Sequence, residues 1–291
     1  MPREKRDLFK SGREVDPVFV REKPIEPLLR WAGGKRRMVR ELLNHLPTDS
    51  AHRTYYEPFL GGGALFFALR PKEAVLADAN EHLIRCYEFV RDNPDRVNAC
   101  LRGHARDTCE VHYYEIRDTY NRTSFSAAQA ARFIYLNKTC FNGIFRVNIR
   151  GDFNVPYGWK EPPSLPSLAH LRAAGEALGH ADLVAASFED TLRMAGPDSF
   201  VFLDPPYPPL NGTSYFTHYT ADRFGEENQR RLAAAVGELS STGAAVMMTN
   251  ADLPIIRKLY RGFHLSRLSV TRSITCKKKK HHVGELIITN Y

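Results

Sequence analysis

Asp204, Pro205, Pro206 and Tyr207 follow directly on an apolar run in the segment SFVFLDPPYPPL. An ionised carboxylate and proline carbonyls can only accept hydrogen bonds. Together they suit an NH2 group, such as the exocyclic amine of a nucleobase, which is a poor nucleophile because its lone pair is delocalised into the ring. Two acceptors gripping its hydrogens would localise that lone pair and aim it at an electrophile. Tyr207 adds a ring on which a base can stack, a contact worth roughly 1–3 kcal/mol by analogy with single-strand binders. A proline-rich turn that merely caps a strand is the plainer alternative.

A second constellation lies upstream. In YYEPFLGGGALFF, Phe59 leads into a glycine turn, and Gly61 and Gly63 form a GxG between a strand and a helix start. Such a turn lets backbone approach a nucleotide-like ligand closely. Phe66 stands where a dinucleotide fingerprint has its third small residue, so a plain NAD site matches poorly. Asp78 ends the next apolar run, AVLAD, where a carboxylate can accept from ribose hydroxyls; a helix-capping Asp is the alternative. In RWAGGK, Leu29 stands where a phosphate loop has its first glycine, and Arg36 replaces its Ser or Thr. The glycines there instead let Trp31 and Lys35 approach another segment, and Lys35 can pair with a ligand carboxylate or position a catalytic group.

Particular elements must hold these groups. Residues 201–203 read as a central strand that stops at Asp204, because proline cannot donate to a ladder. That puts the carboxylate at the carboxyl end of a strand, the edge where open α/β sheets bind ligands. Further strands are expected at RTYYEP, EAVLAD, DLVAAS, GAAVMMTN, FHLSRLSV and GELIITNY, with helices between them. The fold class is therefore α/β: a mostly parallel sheet, interrupted by a mainly helical insert, with the last two strands as an antiparallel hairpin at one edge. Within the insert, Phe145, Val147 and Ile149 alternate with Arg146, Asn148 and Arg150 before Gly151, the pattern of a β-hairpin. Residues 1–24 read as a charged, disordered arm.

The chain has 291 residues, enough for about two domains. Lys and Arg number 41 against 33 Asp and Glu, a net charge of +8. Basic residues cluster at 30–40, at 132–150 among aromatics and amides, and at 277–280, which favours a polyanionic partner. No apolar run approaches the roughly 20 residues of a membrane helix, and the N-terminus lacks a signal-like core. The five cysteines form no CxxC pair, which argues against zinc and disulfide frameworks and for a reducing cytosol.

In order along the chain, RWAGGK, YYEPFLGGGALFF, LADAN, YLNKTCFNGIFRVNIRGDFNVPYG, LDPPYPPL and TRSITCKKKKHHVGEL together resemble the Dam-type DNA N6-adenine methyltransferases, which modify GATC. The resemblance runs from about residue 27 onward. It implies the S-adenosylmethionine-dependent methyltransferase sheet, built from residues 25–80 and 181–291, with residues 81–180 as a target-recognition subdomain. It implies S-adenosylmethionine as cofactor, S-adenosylhomocysteine as product and no metal. Cofactor contacts would fall on Trp31, Lys35, Phe59, Gly61, Gly63, Asp78, Phe188 and Asp204. The partner would be double-stranded DNA in the cytoplasm of a bacterial or phage-infected cell, with no membrane. A cognate restriction endonuclease would be a functional counterpart, not a stable complex. Asp204 and the Pro205 carbonyl would hold a flipped-out adenine, Pro206 would shape the turn and Tyr207 would stack, with Phe216 and Tyr219 as further pocket candidates.

By the same resemblance Phe141 would wedge into the base stack, while Asn142, Ile144 and Arg146 would reach base edges near Pro156. Where the family carries a base-reading basic residue after FNVPYG, this chain has Trp159 and then Lys160. Either Lys160 takes over that contact or the last base pair is read less strictly. Residues 277–280 would grip phosphate. Two other readings stay open: a methyltransferase acting on cytosine N4, RNA or protein amides, and a basic DNA-binding protein without chemistry.

Overall fold

The structure is a computed structural model of the chain, describing residues 24–106, 109–158, 164–208, 224–268 and 284–291. A short α1 (Val39–Leu43) precedes β1 (Thr54–Glu57), α2 (Ala64–Leu69) and β2 (Ala74–Asp78). Five helices follow: α3 (Glu81–Asp92), α4 (Pro94–His104), α5 (Glu110–Tyr120), α6 (Ala127–Thr139) and α7 (Leu168–Leu178). The chain then returns through β3 (Ala181–Ala185), α8 (Phe188–Met194), β4 (Ser199–Leu203), α9 (Glu226–Ser241) and β5 (Ala245–Ala251). It continues with α10 (Pro254–Leu259), β6 (His264–Leu268) and β7 (Glu285–Thr289).

The strands form one sheet in the order β3-β2-β1-β4-β5-β7-β6. β1 to β5 are mutually parallel, and β7 runs antiparallel to both its neighbours. From β1 the chain builds outward through β2 and β3, then crosses to the other side of β1 to lay down β4 and β5. The carboxyl ends of β1 and β4 therefore flank the point where strand order reverses, and crevices at such points take the ligand in open α/β sheets. The expected edge hairpin is present, with β7 on its inner side.

β4 and β5 are largely apolar because both faces are covered: every residue of each is buried, including the polar Ser199, Thr249 and Asn250. Along β4, Phe200 and Phe202 pack on one side with Tyr55, Phe66 and Tyr87. Val201 and Leu203 face the other, with Val236, Ile256 and Tyr260. On the first side, α3 and α7 lie beside β2 and β3, and α4, α5 and α6 pack further out. The helix starts are set by side-chain caps: Asn80 accepts from the Leu83 amide at α3, and Ser126 from the Gln129 amide at α6.

Residues 140–158 double back as expected, tied by Asn148 N to Asp152 O at 2.9 Å and Asn154 N to Arg146 O at 3.1 Å. Gly151, at φ +86°, makes the turn. The alternation is only partial. Phe145 is buried and Val147 half-buried, but Ile149 is fully exposed at the tip. There the Asn148 side chain accepts from the Arg150 and Asp152 amides and curls the backbone away from the core. Among the described residues, no helix is long and apolar enough to cross a membrane, and Cys86, Cys100, Cys109 and Cys140 are free.

Gly175 of α7 sits against α3 so closely that a β-carbon would lie 2.7 Å from the Val90 carbonyl oxygen. That neighbour is backbone and cannot swing aside. Gly175→Ala should therefore cost about 1–3 kcal/mol despite its better helix propensity. Urea unfolding checks this, and an unchanged midpoint would show that α3 and α7 can part at no cost.

Candidate active site

Asp204 leaves β4 at the switch point. Lys35 Nζ lies 2.6 Å from its Oδ1 and 2.8 Å from its Oδ2, and Thr249 of β5 donates to Oδ1 at 2.7 Å. Lys35 is only 3% exposed and also donates to the Gly33 carbonyl at 2.7 Å. Its ammonium stands 4.9 Å from the centre of the Tyr207 ring. The Tyr207 hydroxyl in turn donates to Glu285 Oε2 on β7 at 3.1 Å. Carboxylate, ammonium and ring are thus fixed together by segments far apart in sequence. Taking the two charges out of water is costly, and the added bonds from Thr249 and to Gly33 help offset that cost.

Next to this cluster, the Gly61 amide donates to Asp78 Oδ2 at 3.0 Å and the Asn80 amide to Oδ1 at 2.9 Å. Gly61 has φ +47°, and a β-carbon there would come within 2.6 Å of the Trp31 ring. Trp31 therefore lies flat on the glycine turn, and its other neighbour is Phe145 of the hairpin, stacked at 6.3 Å. Gly63, at φ +64°, starts α2. Phe59 stacks on Phe188 at 5.6 Å, and Phe224 meets Phe59 edge-on at 5.7 Å.

Three carboxyl groups crowd this edge. Burial pushes the Asp78 carboxyl up to about 6, against the pull of the two amides. Glu57 is pushed up to about 8, first by burial, with the charges of Asp204 and Asp78 adding to it and the Tyr55 hydroxyl, donating at 2.8 Å, opposing it. Glu57 was not singled out in the sequence. Its one signal is an acid that closes a β-rich stretch directly before the glycine turn.

The candidate recognition residues gather elsewhere, along the hairpin. Phe141 is half exposed and its amide bonds the Pro156 carbonyl at 2.9 Å, which sets the exposed Pro156 beside it. Asn142 is exposed at φ +57°, and Ile144 is half-buried. Arg146 is exposed, with Nε donating to Asn154 Oδ1 at 2.8 Å. The neighbouring Lys138 is pushed down to about 8 by burial and by the guanidinium groups of Arg30 and Arg36, a mark of accumulated positive charge. Trp159, Lys160, Phe216, Tyr219 and the 277–280 run lie outside the described residues.

Asn137, also missed, joins the two regions. Its Oδ1 accepts from the Arg30 amide at 2.8 Å, and its Nδ2 donates to the Arg30 carbonyl at 2.7 Å and the Gly143 carbonyl at 3.3 Å. Gly143 must be glycine, since a β-carbon would fall 2.6 Å from Arg30 Cβ. The RWAGGK segment is in this way bolted to the hairpin before it reaches the turn at Asp204.

The raised Glu57 carboxyl has a consequence for stability. The folded chain keeps that proton up to about pH 8, whereas the unfolded chain releases it in the ordinary carboxylate range. Stability therefore falls as pH rises between those limits, by up to about 1.4 kcal/mol per pH unit. Glu57→Gln should flatten this slope. The check is the difference between the two proteins' unfolding free energies from pH 5 to 8; a constant difference would refute it.

A family description, D12 class N6 adenine-specific DNA methyltransferase, matches residues 31–274. The type II methyltransferase M.MjaIII of Methanocaldococcus jannaschii is 36% identical over 287 residues, covering 92% of this chain and 99% of that protein. The type II methyltransferase M1.LlaDCHI of Lactococcus lactis subsp. cremoris is 35% identical, covering 92% and 96%. The DNA adenine methylase of Escherichia coli K12 is 34% identical over 249 residues, covering 85% and 88%. With the strand order, the glycine turn and the DPPY turn in place, the chain belongs to the D12 class of N6 adenine-specific DNA methyltransferases.

Proposed function

We propose that Asp204 and the Pro205 carbonyl hold the N6 amine of an adenine flipped out of duplex DNA, with Tyr207 stacked on its ring, and that the target is GATC. The observation that carries this is the anchoring of Asp204 by Lys35 and Thr249, beside a Tyr207 ring tethered to Glu285. Held this way, the carboxylate meets the amine without reorganising, and its charge favours the positive charge that develops on N6. The rest of the work is positioning. Flipping the base costs a few kcal/mol, which Phe141 helps offset by filling the vacated stack.

The residues fit S-adenosylmethionine, which supplies the sulfonium methyl group. A cationic ligand suits an edge that carries Asp78 and Asp204. Asp78 spends one lone pair of each oxygen on Gly61 and Asn80, and keeps the others for ribose hydroxyls. The stacked Phe59 and Phe188 offer an apolar wall for the adenine moiety, while the glycine turn at Gly61 and Gly63 packs beside the methionine part.

Residues 81–180 act in this reading as the target-recognition subdomain. Asn142, Ile144 and Arg146 read base edges alongside Pro156, and Lys160 supplies the contact that follows. The enzyme works on duplex DNA in the cytoplasm of a bacterial or phage-infected cell, and any cognate restriction endonuclease is a functional counterpart.

Methyl transfer from labelled S-adenosylmethionine to two matched duplexes tests the target. One carries GATC and the other lacks only its adenine. Label should enter the first alone and be recovered as N6-methyladenine; label in both would break the GATC assignment and direct attention to Trp159. Arg146→Ala should relax discrimination at one base pair by about 1–3 kcal/mol. Equal weakening on every sequence, with a shallower salt dependence, would make Arg146 a phosphate contact instead.

A further inference from the structure

Pro205 and Pro206 have no N–H, so the catalytic turn cannot be tied through the amides of its own prolines. Proline also fixes φ, which leaves ψ as the soft backbone angle at each position. The ψ of Pro206 aims its carbonyl and places the Cα of Tyr207. Something outside the turn has to set it.

Gln229, in the first turn of α9, is fully buried. Its Nε2 donates to the Pro206 carbonyl at 2.9 Å. Its Oε1 accepts from Asn250 Nδ2 at 3.1 Å, and Asn250, also fully buried, accepts from the Ala251 amide through Oδ1 at 2.8 Å. The direction of this chain is fixed at both ends. A carbonyl can only accept and a backbone amide can only donate, so each side-chain amide has one orientation that satisfies every partner. The relay runs from β5 through α9 into the turn, next to Thr249, which holds Asp204 directly.

We propose that Gln229 is a positioning residue for methyl transfer. By locking the Pro206 carbonyl toward α9 it sets the placement of Tyr207, so that Asp204 and the Pro205 carbonyl are left to grip the amine. This rests on the reading of Asp204 and Pro205 as the amine grip. Gln229 touches neither substrate nor cofactor in this scheme. Its effect is on the rate of transfer and not on binding.

Gln229→Glu provides a test that a purely structural role would not pass. A protonated glutamic acid donates its O–H to the Pro206 carbonyl and still accepts from Asn250. Once ionised it can only accept, and it repels that carbonyl. The kcat of Gln229→Glu should approach the wild-type value near pH 6 and fall, on the order of 10²-fold, as pH rises through the raised pKa of the buried acid. The wild type should lack that limb. KM for DNA and Kd for S-adenosylmethionine should stay within about threefold of wild type. Gln229→Met, similar in size but without a donor, should lose kcat to the same extent at every pH, and decides the matter if the glutamate variant unfolds at high pH. Wild-type kcat in Gln229→Met, or a Gln229→Glu profile parallel to wild type, would overturn the proposal. Asp204→Asn, assayed alongside, keeps the two readings apart. If it is inactive while both Gln229 variants are fully active, only the positioning role fails; if it is fully active, the amine grip itself fails.

Discussion

The ion pair between Lys35 and Asp204 is the constraint on which the site depends. It joins a segment that precedes the first strand to the end of the fourth, 169 residues later. A buried cation tolerates no vacancy beside it: removing one member of such a pair costs about 3–5 kcal/mol. Pairing these two segments brings Trp31 onto the glycine turn and Tyr207 under the ammonium. The contact that holds the charges also fixes the geometry of the turn.

Around that pair the charges are sorted by face. The carboxyl ends of β1, β2 and β4 contribute three carboxyl groups, a protonated Glu57, Asp78 and the Lys35-paired Asp204. The hairpin side contributes Arg30, Lys138 and Arg146, suited to phosphate and to base edges. Asn137 and Trp31 stand between the two, one bonding backbone on both sides and the other filling the space between Gly61 and Phe145. An enzyme that must line up two ligands from opposite charge classes needs a rigid partition, and two unbranched backbone contacts at glycines supply it.

Much of this was legible in the sequence, because local physics enforces it. Prolines after an apolar run must end a strand, so the place of Asp204 could be read directly. The glycine turn, the parallel strands and the antiparallel edge pair carry similarly local signatures. What could not be read depends on distant partners. Thr249, Glu285 and Asn137 are ordinary polar residues whose roles appear only once another element lies against them. Glu57 sits in a strand where its neighbours, not its type, raise its pKa. α4 buries only Val97 and Leu101, which leaves little apolar period to mark it in the sequence. α8 spans seven residues, too few for a clear period. Ile149 continues an alternation that the Asn148 turn then interrupts.

The position of β7 has one more implication. It lies between β5 and β6, yet it is the last of the seven strands to be made. During synthesis, β5 waits with an open edge until β7 leaves the ribosome, and β6 has no partner in the sheet before then. Glu285, the first residue of β7 and the anchor of the Tyr207 hydroxyl, arrives at the same moment. A nascent chain can thus form the glycine turn and the hairpin before the Tyr207 ring is fastened. The tether of the Tyr207 hydroxyl therefore depends on completion of the sheet.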